Sequence, residues 1–143
     1  MMSDQMNPSA PQPEPGSKSF IKGIEHIAIA TMDPRRLAHW YIEHLNFSPL
    51  LDTGDTVYIK SENSVVLEFV KAETALLKPQ IRDAGIRHIA FSVDNLEIAH
   101  ASLKAACIDF EPEPVVLPGM RLHFFRDPDF NYLHLVERKE GLK

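Results

Sequence analysis

A single cysteine, Cys107, in 143 residues excludes an internal disulfide and any multi-cysteine zinc site. The pattern around it, Ala105-Ala-Cys-Ile108, reads as a buried helix position. Basic residues are also in short supply. Fifteen Lys and Arg against 20 Asp and Glu give a formal net charge of −5, and no basic cluster is present, so nucleic acid is not an expected partner. No apolar run approaches the ~20 residues that span a bilayer as a helix, which removes a membrane from the expected partners. The opening residues carry Pro8, Pro11, Pro13 and Pro15 and lack the apolar segment of ~7–15 residues found in secretory signals. Residues 1–19 are therefore expected to be a disordered tail, and a cytoplasmic location is the default expectation.

The remainder, 44% apolar and 24% charged over the whole chain, is ordinary globular material. Residues 20–143 suit a single domain, and an internal repeat says how it is built. Gly23-Ile-Glu-His-Ile-Ala-Ile-Ala30 returns as Gly85-Ile-Arg-His-Ile-Ala-Phe-Ser92, 62 residues later. Each copy alternates bulky and small residues and reads as a strand. A helix follows each. Asp33 can cap one with Pro34 at its first position, and Leu37, Trp40, Tyr41 and Leu45 form its apolar face. Asp94 or Asn95 can cap the other, which carries Leu96, Ile98, Ala99 and Leu103. Three strands then close each half, at Ser48–Leu51, Thr56–Lys60 and Val65–Val70, and again near Pro112–Leu117, Arg121–Arg126 and Tyr132–Glu137. The expectation is an α+β fold of two tandem βαβββ modules, 20–71 and 85–138, joined by a linker over 71–84. Together they would form a curved, half-open mixed β-sheet around a shared cavity.

Side chains on a strand alternate between faces, so His26 shares a face with Ala28 and Ala30, opposite Ile27 and Ile29. His88 shares one with Ala90 and Ser92. On the last strand of each half, Glu68 and His134 occupy matching positions on that same face, 66 residues apart. A carboxylate between Leu67 and Phe69 needs a charge partner. Four such groups at symmetry-related positions form a candidate metal set: His26, Glu68, His88 and His134. Three imidazoles and one carboxylate suit Zn, Ni, Fe, Co or Mn and do not suit Ca or Mg. Glu137 has the opposite parity and is rejected. His39, His44 and His100 read as helix-surface groups, and His123 stays unassigned. Arg121 and Arg126 read as solvated strand ends, each able to meet an anionic substrate group.

Several stretches after Phe20 resemble the vicinal oxygen chelate superfamily of glyoxalases, bleomycin-resistance proteins and extradiol dioxygenases. They are Glu25-His-Ile-Ala-Ile-Ala30, Trp40-Tyr-Ile-Glu-His-Leu-Asn-Phe47, Arg87-His-Ile-Ala-Phe91 and Phe125-Arg-Asp-Pro-Asp-Phe-Asn131. Asn46 and Phe130 stand where the family's pattern has glycine. The resemblance implies a metal held by first- and last-strand residues of both halves, with His26, Glu68 and His88 matching a glyoxalase-like set. His134 stands where glutamate is usual, which counts against an extradiol dioxygenase. Ala30 and Ala72 replace the Arg and Asn that many glutathione-using members carry, which counts against glutathione. The implied activity is that of a metal-dependent lyase or isomerase on a small oxygenated substrate, with Glu68 as candidate catalytic base. The alternatives are a metal-dependent ring-cleaving dioxygenase and a non-enzymatic small-molecule binder. A homodimer is a further possibility, since members pair their halves either within one chain or across two.

Overall fold

In the computed structural model, which describes residues 21–75 and 78–142, the first helix begins where its cap chemistry dictates. The Asp33 carboxylate accepts from the Arg36 amide at 3.1 Å, Pro34 takes the first turn, and helix α1 runs Pro34–His44. Its buried side chains Pro34, Leu37, Ala38 and Tyr41 recur at the three- and four-residue spacing of one face. The tail expected over residues 1–19 lies outside the described residues.

The order of elements is β1 (Ile27–Thr31), α1, β2 (Phe47–Asp52), β3 (Thr56–Ser61), β4 (Val66–Lys71), then β5 (His88–Ser92), α2 (Leu96–Ala105), β6 (Val115–Leu117), β7 (Met120–Arg126) and β8 (Tyr132–Arg138). The chain is therefore α+β with two tandem βαβββ modules. Each module has its own four-stranded mixed sheet, ordered β1-β4-β3-β2 and β5-β8-β7-β6. The first strand of each module lies parallel to the last, pairing Ile27 with Leu67 and His88 with Tyr132. Both β1 and β5 start later than the repeat suggested. The turn after β3 delays β4 to Val66, so residues before Ile27 have no ladder partner, and Ile24 and Ile86 are 85% and 84% exposed.

One apolar core joins the modules. Leu37 and Tyr41 of α1, Ile59 of β3, Leu67 and Phe69 of β4, and Phe125, Leu133 and Leu135 of the second sheet form a single buried cluster. Each such side chain contributes roughly 1.5–3 kcal/mol by leaving water. A polar pin crosses the same junction. The buried Tyr41 Oη donates to the Asp127 carboxylate at 2.8 Å, and Asp129 accepts from Thr31 Oγ1 at 2.5 Å and from Arg36 Nη2 at 2.9 Å. The modules thus pack through the helix-facing sides of their sheets.

Among the described residues, four non-glycine residues have left-handed backbone, Asn46 (φ 59°) and Phe130 (φ 66°) among them. These are the two positions at which glycine is the commoner choice, because it alone bears a positive φ without a Cβ clash. Cys107 is another, at φ 63°. It is exposed rather than a buried helix residue, because α2 has already ended and Cys107 closes it, donating its amide to Lys104 O at 3.0 Å. Cys107→Gly is therefore expected to stabilise the protein. Relief of ~1–2 kcal/mol of left-handed cost exceeds the ~0.4–1 kcal/mol lost to a freer unfolded chain. The melting temperature should rise by about 2–4 °C, and Cys107→Ala should leave it unchanged.

Candidate metal centre

Alternation along β4 sends Leu67 and Phe69 into the core and Glu68 to the opposite face, 15% exposed. In register, Glu68 lies between Ala28 of β1 and Tyr58 of β3. Tyr58 Oη donates to Glu68 Oε1 at 2.6 Å, and this bond holds the phenol above its ordinary pKa. The other oxygen, Oε2, is 3.0 Å from His26 Nε2, while His26 Nδ1 is 3.0 Å from Glu25 Oε1. Both ring nitrogens of His26 thus meet carboxylate oxygens. A neutral imidazole has one N–H to give, so one of the two contacts calls for a further proton or a cation. The 3.0 Å spacing of Nε2 and Oε2 is that of an ordinary hydrogen bond; a tetrahedral ion with bonds of about 2.1 Å would set two donors about 3.4 Å apart.

The second module repeats the arrangement. His134 lies between Ala90 of β5 and Phe124 of β7 in register. Its ring centroid is 4.7 Å from that of His88 and 4.9 Å from that of Phe124. The His134 Nδ1–H donates to Leu135 O at 3.3 Å, which leaves the Nε2 lone pair for another partner. Burial lowers the His134 pKa, and the neighbouring His88 and Arg138 act in the same direction, although the Leu135 carbonyl opposes the shift. The neutral form so favoured is the one that ligates metals.

The four expected ligands therefore stand as two pairs, His26 with Glu68 and His88 with His134. Among the described residues no group of three or more His, Cys, Asp or Glu side chains is placed to hold one ion. Both pairs lie on sheet faces opposite the shared core. On those faces the small residues Ala28, Ala30, Ala90 and Ser92 are exposed. Tyr58 and Phe124 carry no motif of their own, although alternation along β3 and β7 puts both on the ligand face.

The other candidates lie elsewhere. Arg121 is on the helix side, bonded to Glu97 and Glu137, and Glu137 also accepts the first amide of α2, Leu96 N, at 2.8 Å. That agrees with its rejection as a ligand. His39 is exposed as expected, but His44 packs edge-on against Trp40 with 18% exposure. His100 stacks on the buried His123 at 4.8 Å, and His123 Nε2–H donates to Glu111 O at 2.6 Å. These two imidazoles are not plain surface groups, because the loop after α2 folds Phe110 over them. No helix among the described residues is long and apolar enough to cross a membrane.

Comparison with known proteins agrees with this architecture. The profile of the Glyoxalase/Bleomycin resistance protein/Dioxygenase superfamily matches residues 23–135. The uncharacterized protein YwkD of Bacillus subtilis (strain 168) is 32% identical over 131 residues, covering 83% of this chain and 99% of its own. A glyoxalase family protein from Enterococcus faecalis has a solved structure with a TM-score of 0.70 and 29% identity, over 83% of this chain and 100% of that one. A lactoylglutathione lyase from Agrobacterium tumefaciens has a TM-score of 0.63 at 19% identity, over 83% and 96%, and shares the fold. The chain belongs to the Glyoxalase/Bleomycin resistance protein/Dioxygenase superfamily.

Proposed function

We propose that the chain is a metal-dependent lyase or isomerase of the glyoxalase type, whose ion is held between two copies. His26 and Glu68 of one protomer and His88 and His134 of its partner would supply the four donors. One observation carries this reading: each module brings two of the four candidate donors together on a face that the described residues leave open, while its helix side is consumed by the core. Among the described residues no strand pairs with the outer edge of β1 or β5, and this, with the exposed Ile24 and Ile86 beside them, favours cover by a second copy.

Three imidazoles and a carboxylate fit Zn, Ni, Fe, Co or Mn. Bound there, the ion would supply Lewis acidity toward adjacent substrate oxygens. The chain's own contribution is proton handling at carbon. Glu68 is the only carboxylate in the ligand set and the candidate base. Tyr58 fixes its orientation through Oε1 and presents Oε2 on the His26 side. Phe124 packs against both His88 and His134 and holds their rings in place. The superfamily includes a lactoylglutathione lyase of the same fold, but Ala30 and Ala72 argue for a substrate other than glutathione. Localisation in the cytoplasm is part of the same proposal.

Metal analysis of protein purified from metal-replete medium tests the reading. One transition ion per chain is expected, and His88→Ala should retain less than about a tenth of it. Metal-free wild-type protein whose melting temperature ignores added Zn, Ni and Co would leave only the binding-protein alternative. Iron with uptake of O₂ would transfer the assignment to a dioxygenase.

A further inference from the structure

On the ligand face of the second module, His88 pairs in register with Tyr132, and Tyr132 with Arg126. The three side chains form one row across β5, β8 and β7, about 10 Å from end to end at the strand spacing. The Arg126 guanidinium lies 4.6 Å above the Tyr132 ring. Its Nη2 donates to Tyr132 Oη at 3.0 Å and to Glu111 Oε1 at 3.2 Å. Arg121 is enclosed by two carboxylates on the far side of the sheet, whereas Arg126 is 41% exposed. Its partner carboxylate among the described residues, Glu111, is itself 44% exposed, and an exposed pair of this kind is worth at most about 1 kcal/mol. A better-placed carboxylate can displace it.

The first module repeats the feature. Lys60 pairs in register with Val66, two residues before Glu68, just as Arg126 pairs with Tyr132, two residues before His134. Lys60 therefore shares its sheet face with Tyr58, Glu68 and His26, and it is exposed. Each half-site is thus flanked by one cation at the matching position, on a chain whose net charge is −5.

We infer that the substrate carries a carboxylate besides its metal-chelating oxygens, and that Arg126 is the residue that selects for it. This inference rests on the metal reading above. A guanidinium preoriented by stacking on an aromatic ring presents a planar fork that matches a carboxylate, and its place in the His88 row puts that fork one short acyl chain from the ligand pair. Substrates without the carboxylate would bind through the ion alone.

Calorimetric titration of the zinc-loaded protein with two chelating probes tests this without any turnover. The probes are acetohydroxamate, which is neutral before chelation, and succinic acid monohydroxamate, which adds a carboxylate. Wild-type protein should prefer the carboxylate-bearing probe by about tenfold. Arg126→Gln should erase that preference while leaving acetohydroxamate affinity within about twofold, and Arg126→Lys should keep part of it. The melting temperature of the zinc-loaded variants checks folding. Equal affinity of wild-type protein for the two probes, or an equal loss of both in Arg126→Gln, overturns the inference and leaves the metal site standing. Failure of the wild-type protein to take up zinc overturns both.

Discussion

Glu68→Ala protein and His134→Ala protein, each unable to hold the ion alone, are expected to recover metal binding when their protomers are mixed. The groups that hydrogen-bond metal ligands are each worth about 10–100-fold in affinity, so loss of a ligand itself should cost on the order of 100-fold or more. In a mixed dimer one site lacks both side chains. The other takes Glu68 with His26 from the His134→Ala protomer, and His88 with His134 from the Glu68→Ala protomer, and is complete. Random exchange makes half of the dimers mixed, so about a quarter of the wild-type sites should return. The readout is bound zinc after co-refolding, with dimer composition followed by native mass spectrometry. Mixed dimers that bind no more zinc than either parent would sink the shared site. That result would require the four donors to meet within one chain, against their placement on faces turned away from a common core.

The second large effect concerns the junction between modules. Asp127 is 3% exposed, and its carboxylate accepts four hydrogen bonds. They come from Tyr41 Oη at 2.8 Å, Asn131 Nδ2 at 2.8 Å, Asp129 N at 2.9 Å and Asn131 N at 3.0 Å. Burial raises its pKa despite these bonds, a sign of how much desolvation the network offsets. Asp127→Ala removes the acceptor common to all four donors, and Tyr41 is buried too completely for water to replace it. A buried donor left without a partner costs about 1–3 kcal/mol. With the amides of the 127–131 turn partly rehydrated, the total should be roughly 3–4 kcal/mol. Tyr41→Phe removes one donor and leaves the carboxylate three others, so it should cost only about 1 kcal/mol. Urea unfolding of both variants measures the difference. A loss below about 1 kcal/mol for Asp127→Ala would show that the turn holds its shape without the carboxylate and that the apolar contacts alone join the modules.

Much of this molecule follows from rules of short range. The alternation of side chains along a strand put Glu68, His88 and His134 on faces opposite Phe69 and Leu135, and the structure has them there; His26 stands one residue before β1 and meets that face through its 3.0 Å contact with Glu68. Asp33 and Pro34 announced α1 because a cap and its first turn involve adjacent residues. Asn46 and Phe130, which stand where the family's pattern has glycine, are found with left-handed backbone. Errors gathered where a neighbour in space decides the outcome. Cys107 lies outside the helix that Ala105-Ala-Cys-Ile108 suggests, because nothing in that pattern says that α2 stops at Ala105. His100 reads as a surface group in the sequence because Phe110 and His123 reach it only through the folded loop.

The amino-acid sequence by itself therefore determined the two βαβββ modules, their helix caps, and which face of each sheet bears the histidines and Glu68. It could do so because periodicity and capping act between residues a few positions apart. Only the tertiary structure decided how one module sits on the other: helix side to helix side, around Leu37, Tyr41, Phe69 and Leu133. That arrangement turns the two donor pairs outward, and it depends on contacts between residues nearly a hundred positions apart, such as Tyr41 with Asp127, which no local pattern encodes.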